Sequence, residues 1–201
     1  MKIICFYNNF PHQKQVFPLE NKPLFYLKPD TSILTHNRPF FIPEFTDNLH
    51  CQVELVIRID KLGKYIQTNY VSTYFHEIAL GINIFDKSLQ TQCIQNGLAW
   101  EKSTAFENSA AMSLFFPLDN IHSLEEITLG ISKNQQENIH ANLQSMVFPL
   151  ETLISYVSSY FTLKTGDLLF LGSPLPSIPI QINDLIEAYL NHEKRMRFRI
   201  K

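Results

Sequence analysis

Short apolar runs, several of them alternating with polar residues, recur along this chain and predict β-strands as its main element. Glycine, proline and small polar clusters bound the runs and predict the turns between them. The segments predicted as strands are 2–6, 24–27, 52–59, 167–171, 184–190 and 195–200. The polar, aperiodic segment 134–144 is predicted to be a loop.

Two segments carry apolar residues at helical spacing instead. The clearer one starts at Pro149, a residue favoured at the first turn of helices, and continues its apolar stripe over 150–161. In segment 70–79, Tyr70, Tyr74 and Ile78 fall on one stripe, which predicts a second helix. Because a late run of strands follows these helices, the predicted fold class is α+β rather than doubly wound α/β.

Composition narrows the organisation and the partners. The 201 residues, 45% hydrophobic and 18% charged, fit a single domain over 1–201 with a substantial core. A net charge of −2 gives no basic surface for nucleic acid and no polybasic strip for a membrane. The N-terminal segment turns polar too early for a signal peptide, so a cytoplasmic protein is expected. Three scattered cysteines favour neither a disulfide framework nor a zinc site.

One strand carries the chemistry of most interest. Gln52 and Glu54 stand two residues apart in the segment LHCQVELVIRI, so their side chains project from the same face of the pleat. Taken alone, Glu54 on a half-buried strand is most simply a solvated or ion-paired carboxylate. Its significance depends on the motifs around it.

Several motifs, in matching order and spacing, make the chain similar to the fumarylacetoacetate hydrolase family. The matching stretches are Asn8 with His12 and Gln15, LFYLKPDTSIL at 24–34, CQVEL at 51–55, GINIFDKSLQ at 81–90, WEKSTAFE at 100–107 and TLKTGD at 162–167. The resemblance covers nearly the whole chain and implies a strand-rich α+β fold with mixed sheets and a few helices. It also implies a magnesium or manganese ion, held by three carboxylates, that stabilises the enolate of a β-dicarbonyl or 2-oxo acid.

The chain departs from the family at its metal ligands. The resemblance places the three ligands at Gln52, Glu54 and Asn83, so that only Glu54 remains a carboxylate. Each missing charge near a divalent ion is worth about several kcal/mol at an effective dielectric constant of about 20. No metal cofactor is therefore expected, with magnesium or manganese as the alternative. Asp86 and Glu107 are the candidates for replacing the two missing carboxylate ligands.

The catalytic positions implied by the resemblance are also altered. A His–Glu pair that activates water in the family corresponds here to His12 and Gln15, and an amide cannot accept a proton. The family lysine falls on Thr104, although Lys102 lies one strand repeat earlier and is predicted to reach the same face. These departures point to impaired water activation.

The substrate-binding positions are altered as well. The family arginine corresponds to Lys87, which keeps the charge but not the bidentate fork that suits a carboxylate. In the late loop, Leu171 replaces a threonine, whereas Ser173 preserves the second hydroxyl. Prolines and apolar residues over 175–179 replace the usual glycines and stiffen that loop.

Two interpretations of function follow. The favoured one is an inactive or repurposed relative that binds a small carboxylate or pairs with another chain. The alternative is a divergent metal-dependent hydrolase, decarboxylase or isomerase that acts on a β-dicarbonyl or 2-oxo acid. In either case a homodimer is expected, because the resemblance implies one and 16 phenylalanines exceed what one buried face needs.

Overall fold

Two β-sheets that share one hydrophobic core, together with two α-helices, make up most of the described part of the chain. The computed structural model describes residues 1–11, 22–35, 37–46, 48–118, 123–136 and 139–201. Strand content dominates and the larger sheet is mixed, which confirms the predicted α+β class. Within these ranges, no helix is long and apolar enough to cross a bilayer.

The larger sheet has nine strands, seven of them in one continuous path. Its strands are β1 (Ile3–Tyr7), β2 (Leu24–Lys28), β3 (Ile33–Leu34), β4 (Leu49–Arg58), β5 (Glu77–Asp86), β6 (Ala110–Met112), β7 (Phe116–Pro117), β10 (Leu168–Phe170) and β11 (Ile178–Pro179). The path runs β2-β1-β10-β4-β5-β6-β3, while β11 pairs with β4 and β7 pairs with β5. The pairs β1–β10 and β3–β6 are parallel and the others are antiparallel.

The second sheet is an antiparallel set of four strands in the order β13-β12-β8-β9. Its strands are β8 (Thr128–Lys133), β9 (Ile139–Asn142), β12 (Leu185–Leu190) and β13 (Glu193–Arg199). The strands predicted at 184–190 and 195–200 are thus confirmed with small shifts of their ends. The loop prediction for 134–144 is wrong in part, because β9 lies within it and pairs with β8.

The helices are α1 (Lys87–Gln95) and α2 (Leu150–Tyr160), with single 3-10 turns at Asp30–Ser32, Glu101–Ser103 and Leu124–Glu126 and a longer one at Thr68–Tyr74. Helix α2 begins after Pro149, as predicted, and buries one stripe of its surface. Helix α1 begins where β5 ends, since the Asp86 carboxylate accepts a hydrogen bond from the Leu89 N–H at 2.8 Å.

The helix predicted over 70–79 is wrong. Its first half is the 3-10 helix Thr68–Tyr74, and its second half is the start of strand β5. Strand β5 is paired on both edges and buried on both faces, so its sequence lacks the alternation of a half-buried strand. A continuous apolar run of this kind resembles a buried helix when read by period alone.

The two faces of β4 and β5 have different surroundings. The odd residues of β4, with those of the second sheet, belong to the main core cluster between the sheets, which includes Val53, Leu55, Ile57, Leu129, Ile131 and Ile186. The opposite face carries a smaller cluster that includes Cys5, Tyr26, Val56, Ala79, Met112 and Phe170. Gln52 and Glu54 share this second face through the period of two. The candidate site therefore lies on the outer face of the larger sheet, away from the main core.

Candidate active site

Pairing of β4 with β5 brings the predicted metal-ligand positions together. Gln52 lies directly opposite Asn83, and Glu54 lies opposite Gly81. A side chain at Gly81 would not fit, because an added Cβ would come within 2.3 Å of the Phe170 ring. The absence of a side chain there lets Phe170 pack against the sheet next to Glu54. The geometry that the resemblance implies for these three positions is therefore present.

The carboxylate of Glu54 is held by three N–H donors. Its Oε1 accepts hydrogen bonds from Gln52 Nε2 at 2.8 Å and from Asn83 Nδ2 at 2.7 Å. Its Oε2 accepts one from the Gly172 N–H at 2.8 Å. The side chain is fully buried. Hydrogen bonds to a buried carboxylate are strong because one partner is ionised and water is excluded.

A second layer of polar groups surrounds this carboxylate. Tyr26 accepts a hydrogen bond on its hydroxyl from Asn83 Nδ2 at 2.8 Å. Lys28, almost fully buried, donates from Nζ to the carbonyl and the hydroxyl of Ser109 at 2.8 and 3.0 Å. Lys28 also interacts electrostatically with Glu54. The site thus contains one buried carboxyl group and one buried amine, whose charges attract each other without a direct hydrogen bond in the described structure.

Burial sets the proton affinities in this cluster. It raises the pKa of Glu54, and the hydrogen bonds from Gln52, Asn83 and Gly172 offset only part of that rise. It lowers the pKa of Lys28 from 10.5 to about 8, although the charge of Glu54 opposes the shift. Burial also raises the pKa of Cys5 to about 12, so this thiol stays protonated and is not a nucleophile. Glu54 is the group best placed to exchange a proton.

The donor set does not fit the divalent ion that the family resemblance implies. Magnesium and manganese bind several oxygen ligands, drawn from carboxylates, carbonyl groups and water, and need oxygen lone pairs that face the ion. Here Glu54 supplies the single carboxylate, and both of its oxygens face N–H donors from Gln52, Asn83 and Gly172. Within the described ranges, no three His, Cys, Asp or Glu side chains are grouped as a metal site would require. The three N–H donors are arranged to stabilise the Glu54 carboxylate itself.

The late loop contributes backbone as well as side chains to the site. Gly172 adopts a φ of +87°, a conformation that other residues rarely adopt, and this turns its N–H toward Glu54. Leu171 is fully buried and its carbonyl accepts from Asn9 Nδ2 at 3.0 Å. The Ser173 hydroxyl donates to the Leu175 carbonyl at 2.8 Å, so it stabilises the turn. The substrate-binding roles of Leu171 and Ser173 stay predictions.

The residues around the start of α1 lie on more than one face. Lys87 is exposed in the first turn of α1. The pKa of the His50 imidazole is lowered mainly by burial and, to a smaller extent, by the nearby positive charge of Lys87. Asp86 is three residues from Asn83 on β5 and so points to the opposite face. Its carboxylate is bonded to the Leu89 N–H and the Ser88 hydroxyl. Asp86 therefore caps a helix and does not replace a lost ligand.

The segment after Trp100 differs from the strand assumed for it. Residues Glu101–Ser103 form a 3-10 turn, so the argument that Lys102 and Thr104 share a strand face is wrong. Lys102 is exposed, whereas Thr104 is fully buried and its carbonyl accepts from the Ser109 hydroxyl at 2.9 Å. Glu107 is exposed and does not supply a buried replacement carboxylate. Thr104 is connected to Lys28 through Ser109.

Two predicted catalytic residues, His12 and Gln15, lie outside the described residues. Other groups at the site were not singled out from the sequence, namely Tyr26, Lys28 and Gly172. Lys28 belongs to the family-like stretch at 24–34, and Gly172 lies between Leu171 and Ser173 in the late loop. Their positions in these motifs were the only sequence features that could have identified them as site residues. Their contacts with Glu54 and Asn83 depend on pairings far apart in sequence.

Comparison with known proteins gives a consistent family assignment. A family match described as fumarylacetoacetate (FAA) hydrolase C-terminal spans residues 2–201. Mitochondrial oxaloacetate tautomerase FAHD1 of Mus musculus is 31% identical over 201 residues, covering 99% of this chain and 91% of that protein. Mitochondrial oxaloacetate decarboxylase of Dictyostelium discoideum is 30% identical over 190 residues, covering 93% and 87%.

The fold comparison agrees. The crystal structure of a fumarylacetoacetate hydrolase family protein from Yersinia pestis CO92 superposes with a TM-score of 0.90 at 26% identity, covering 100% of this chain and 92% of that one. Because the relatives carry the names of enzymes, the comparisons do not support the inactive interpretation favoured from the sequence. The alternative, a divergent metal-dependent hydrolase, decarboxylase or isomerase that acts on a β-dicarbonyl or 2-oxo acid, is nearer to them.

Proposed function

Because this chain belongs to the fumarylacetoacetate hydrolase family, we propose that it interconverts the keto and enol forms of a small 2-oxo acid of the oxaloacetate type. The observation that carries the proposal is the fully buried Glu54 carboxylate, held by three N–H donors and with its pKa raised by burial, at a position where the resemblance places a metal ligand. A carboxylate in such surroundings is an effective general base near neutral pH.

Tautomerisation is the family reaction that the residues of this chain suit best. Glu54 removes a proton from the carbon between the two carbonyl groups, and the protonated Glu54 then gives that proton to the enolate oxygen, which forms the enol and restores the carboxylate. The reverse sequence regenerates the keto form, so one proton is moved and no water is consumed. Hydrolysis of a C–C bond would also need an activated water, and Gln15 cannot accept a proton in that role.

The surrounding groups assist this proton transfer. Lys28 provides a buried positive charge that favours the ionised form of Glu54. Gln52 and Asn83 orient the carboxylate through their amide N–H groups, and Gly172 fixes its other oxygen. Lys87 is exposed and would bind a substrate carboxylate, as the resemblance implies, whereas the Ser173 hydroxyl is buried and bonded within its own loop. The homodimer expected from the sequence stays a prediction.

A non-catalytic protein that binds a small carboxylate is the second candidate. It is favoured by one observation, namely that all three N–H donors around Glu54 are already directed at its own oxygens. If these donors stay engaged, Glu54 is a structural group and no proton transfer occurs. The enzyme proposal requires that substrate binding releases Glu54 from at least one of them.

An assay of enol disappearance separates the two candidates. Oxaloacetate is supplied as its enol, and the loss of enol absorbance is followed with and without the purified protein. We expect first-order conversion well above the spontaneous rate and proportional to protein concentration. A rate equal to the spontaneous rate at micromolar protein would refute the enzyme proposal and favour the non-catalytic candidate.

Replacement of Lys28 by methionine is expected to move the acid limb of the pH–rate profile to higher pH. In the native protein, turnover rises with pH as Glu54 loses its proton, and the positive charge of Lys28 lowers the pKa of Glu54. Without that charge, Glu54 holds its proton to a higher pH. The measurement is kcat against pH for Lys28→Met and for Lys61→Met, an exposed lysine, as the control. An identical acid limb in all three proteins would exclude the electrostatic role of Lys28.

A further inference from the structure

A cavity lies at the other end of strand β4, away from Glu54. Its volume is about 910 Å³, within the range of about 300–1,000 Å³ that small-molecule sites occupy. Arg58 lines this cavity and, through the period of two, projects from the same face of β4 as Glu54. Four residues of strand, about 13 Å, separate the two positions, and the buried Val56 lies between them. The Arg58 cavity is therefore distinct from the candidate active site.

One wall of the Arg58 cavity is apolar. Met112 and Leu168, which line it, belong to the smaller core cluster, and Ile33 and Phe115 pack against that cluster. Leu114 also lines the cavity and is 74% exposed. Apolar surface gathered in a concave place is typical of a binding site. This wall suits a ligand with an apolar body.

The charged side chains that line the Arg58 cavity are all positive. They are Arg58, Lys194 and Arg195, and the described lining residues include no Asp or Glu. The guanidinium of Arg58 lies 4.5 Å from the centroid of the Phe115 ring, and that of Arg195 lies 5.2 Å from the centroid of Phe116. A guanidinium stacked on a ring keeps its N–H groups at its edge, where they suit a carboxylate. The cavity therefore favours a negatively charged head group.

Glutamates outside the cavity lining do not use up these donors. The three cations are paired as Arg58 with Glu77, Arg195 with Glu193 and Lys194 with Glu187. In the described structure each of the two guanidinium groups bonds its glutamate through Nη2 alone, whereas an arginine carries five N–H donors. Both arginine pairs are partly exposed, and ion pairs of this kind hold their side chains weakly. The arginines can therefore bond a further carboxylate.

We propose that the Arg58 cavity binds a small amphipathic anion, with its apolar body against the wall that contains Met112 and Leu114 and its charged head toward the arginines. Both halves of this ligand follow from the lining, since the wall is apolar and the lining charges are of one sign. The site goes beyond the proposed tautomerisation, because Glu54 does not line the cavity.

The first test compares two probes of opposite charge on the native protein. Isothermal titration calorimetry measures the binding of decanoate and of decyltrimethylammonium, which has the same chain and a positive head. We expect decanoate to bind about tenfold more tightly or better, because only its head is attracted by the cations of the cavity. Decanoate affinity should also fall as salt is added, since the head groups are partly exposed to solvent.

Leu114→Glu and Leu114→Lys form a matched pair of variants, because Leu114 lines the cavity and is mostly exposed, so the fold tolerates either charge. The glutamate should lower decanoate affinity about tenfold, whereas the lysine should preserve it. The double variant Arg58→Met with Arg195→Met should lose about tenfold or more. Leu98→Glu is the control, since Leu98 is 59% exposed outside the cavity and should not affect binding. Melting temperatures verify that each variant is folded.

The inference is overturned if the native protein does not bind millimolar decanoate, if both probes bind equally, or if the two Leu114 variants bind decanoate equally. Light scattering tests a different occupant. If the native protein is a dimer that Leu114→Glu separates into monomers, this face is an interface between two copies and the ligand site is refuted. Turnover of oxaloacetate should be the same in both Leu114 variants, so this proposal and the proposed function fail independently.

Discussion

Replacing Glu54 by glutamine is expected to lower the turnover of oxaloacetate about 100-fold or more, since general-base catalysis contributes about 10² to 10⁴ in rate. Glutamine preserves the shape of the side chain but cannot take the proton from the substrate carbon. The loss should appear in kcat, because the residues proposed to bind substrate are unchanged. The measurement is the steady-state rate of enol disappearance with purified Glu54→Gln protein.

Glu187→Gln provides the control for a buried glutamate outside the site. Glu187 is 3% exposed in the second sheet and pairs with Lys194 at 2.6 Å. Its replacement should lower the melting temperature and leave kcat unchanged, because it removes an ion pair of the second sheet, outside the candidate site. Turnover by Glu54→Gln within twofold of the native rate, in folded protein, would show that Glu54 is not the base.

The double substitution Gln52→Glu with Asn83→Asp is expected to create a divalent-ion site. It places three carboxylates on the facing positions of β4 and β5, where two amides now contact Glu54 at 2.7 and 2.8 Å. Without a cation these charges repel, so the variant should be less stable than the native chain. With manganese, binding to the folded state should raise the melting temperature in proportion to the logarithm of ion concentration.

Calorimetric titration with manganese measures this gain directly. We expect binding by the double variant at micromolar concentrations and none by the native protein up to millimolar concentrations, a difference of about 1,000-fold or about 4 kcal/mol. A triple variant that adds Glu54→Gln should lose the site again. Equal manganese binding by the native protein and the double variant would contradict the conclusion that the present donor set does not fit the ion.

Sequence periodicity was a good guide where one face of an element is buried and the other is not. Helix α2 and strand β13 lie close to where their patterns predict, because the position of each apolar residue follows from one contact face. Strand β5 was missed at its start, since burial of both faces removes the alternation that identifies a strand. Strand β9 is short and half-polar, so it looks like a loop until it pairs with β8.

The candidate site was predictable only in part, for a related reason. The spacing of Gln52 and Glu54 predicts a shared face from one strand alone. That Asn83 lies next to Gln52 and Glu54 was predicted from the family resemblance, because the sequence of β4 alone does not identify the strand that pairs with it. Lys28 and Gly172 reach the site through pairings of strands far apart in sequence, and such pairings cannot be derived from local pattern.

The most direct test of a site that works without a divalent ion is the tautomerase rate of the native protein in excess EDTA. We predict that the rate is the same with EDTA, with added magnesium and with added manganese, and that Glu54→Gln abolishes it in all three conditions. A rate that disappears in EDTA and returns with manganese would contradict the account, since it would show that Gln52, Glu54 and Asn83 hold a catalytic ion after all.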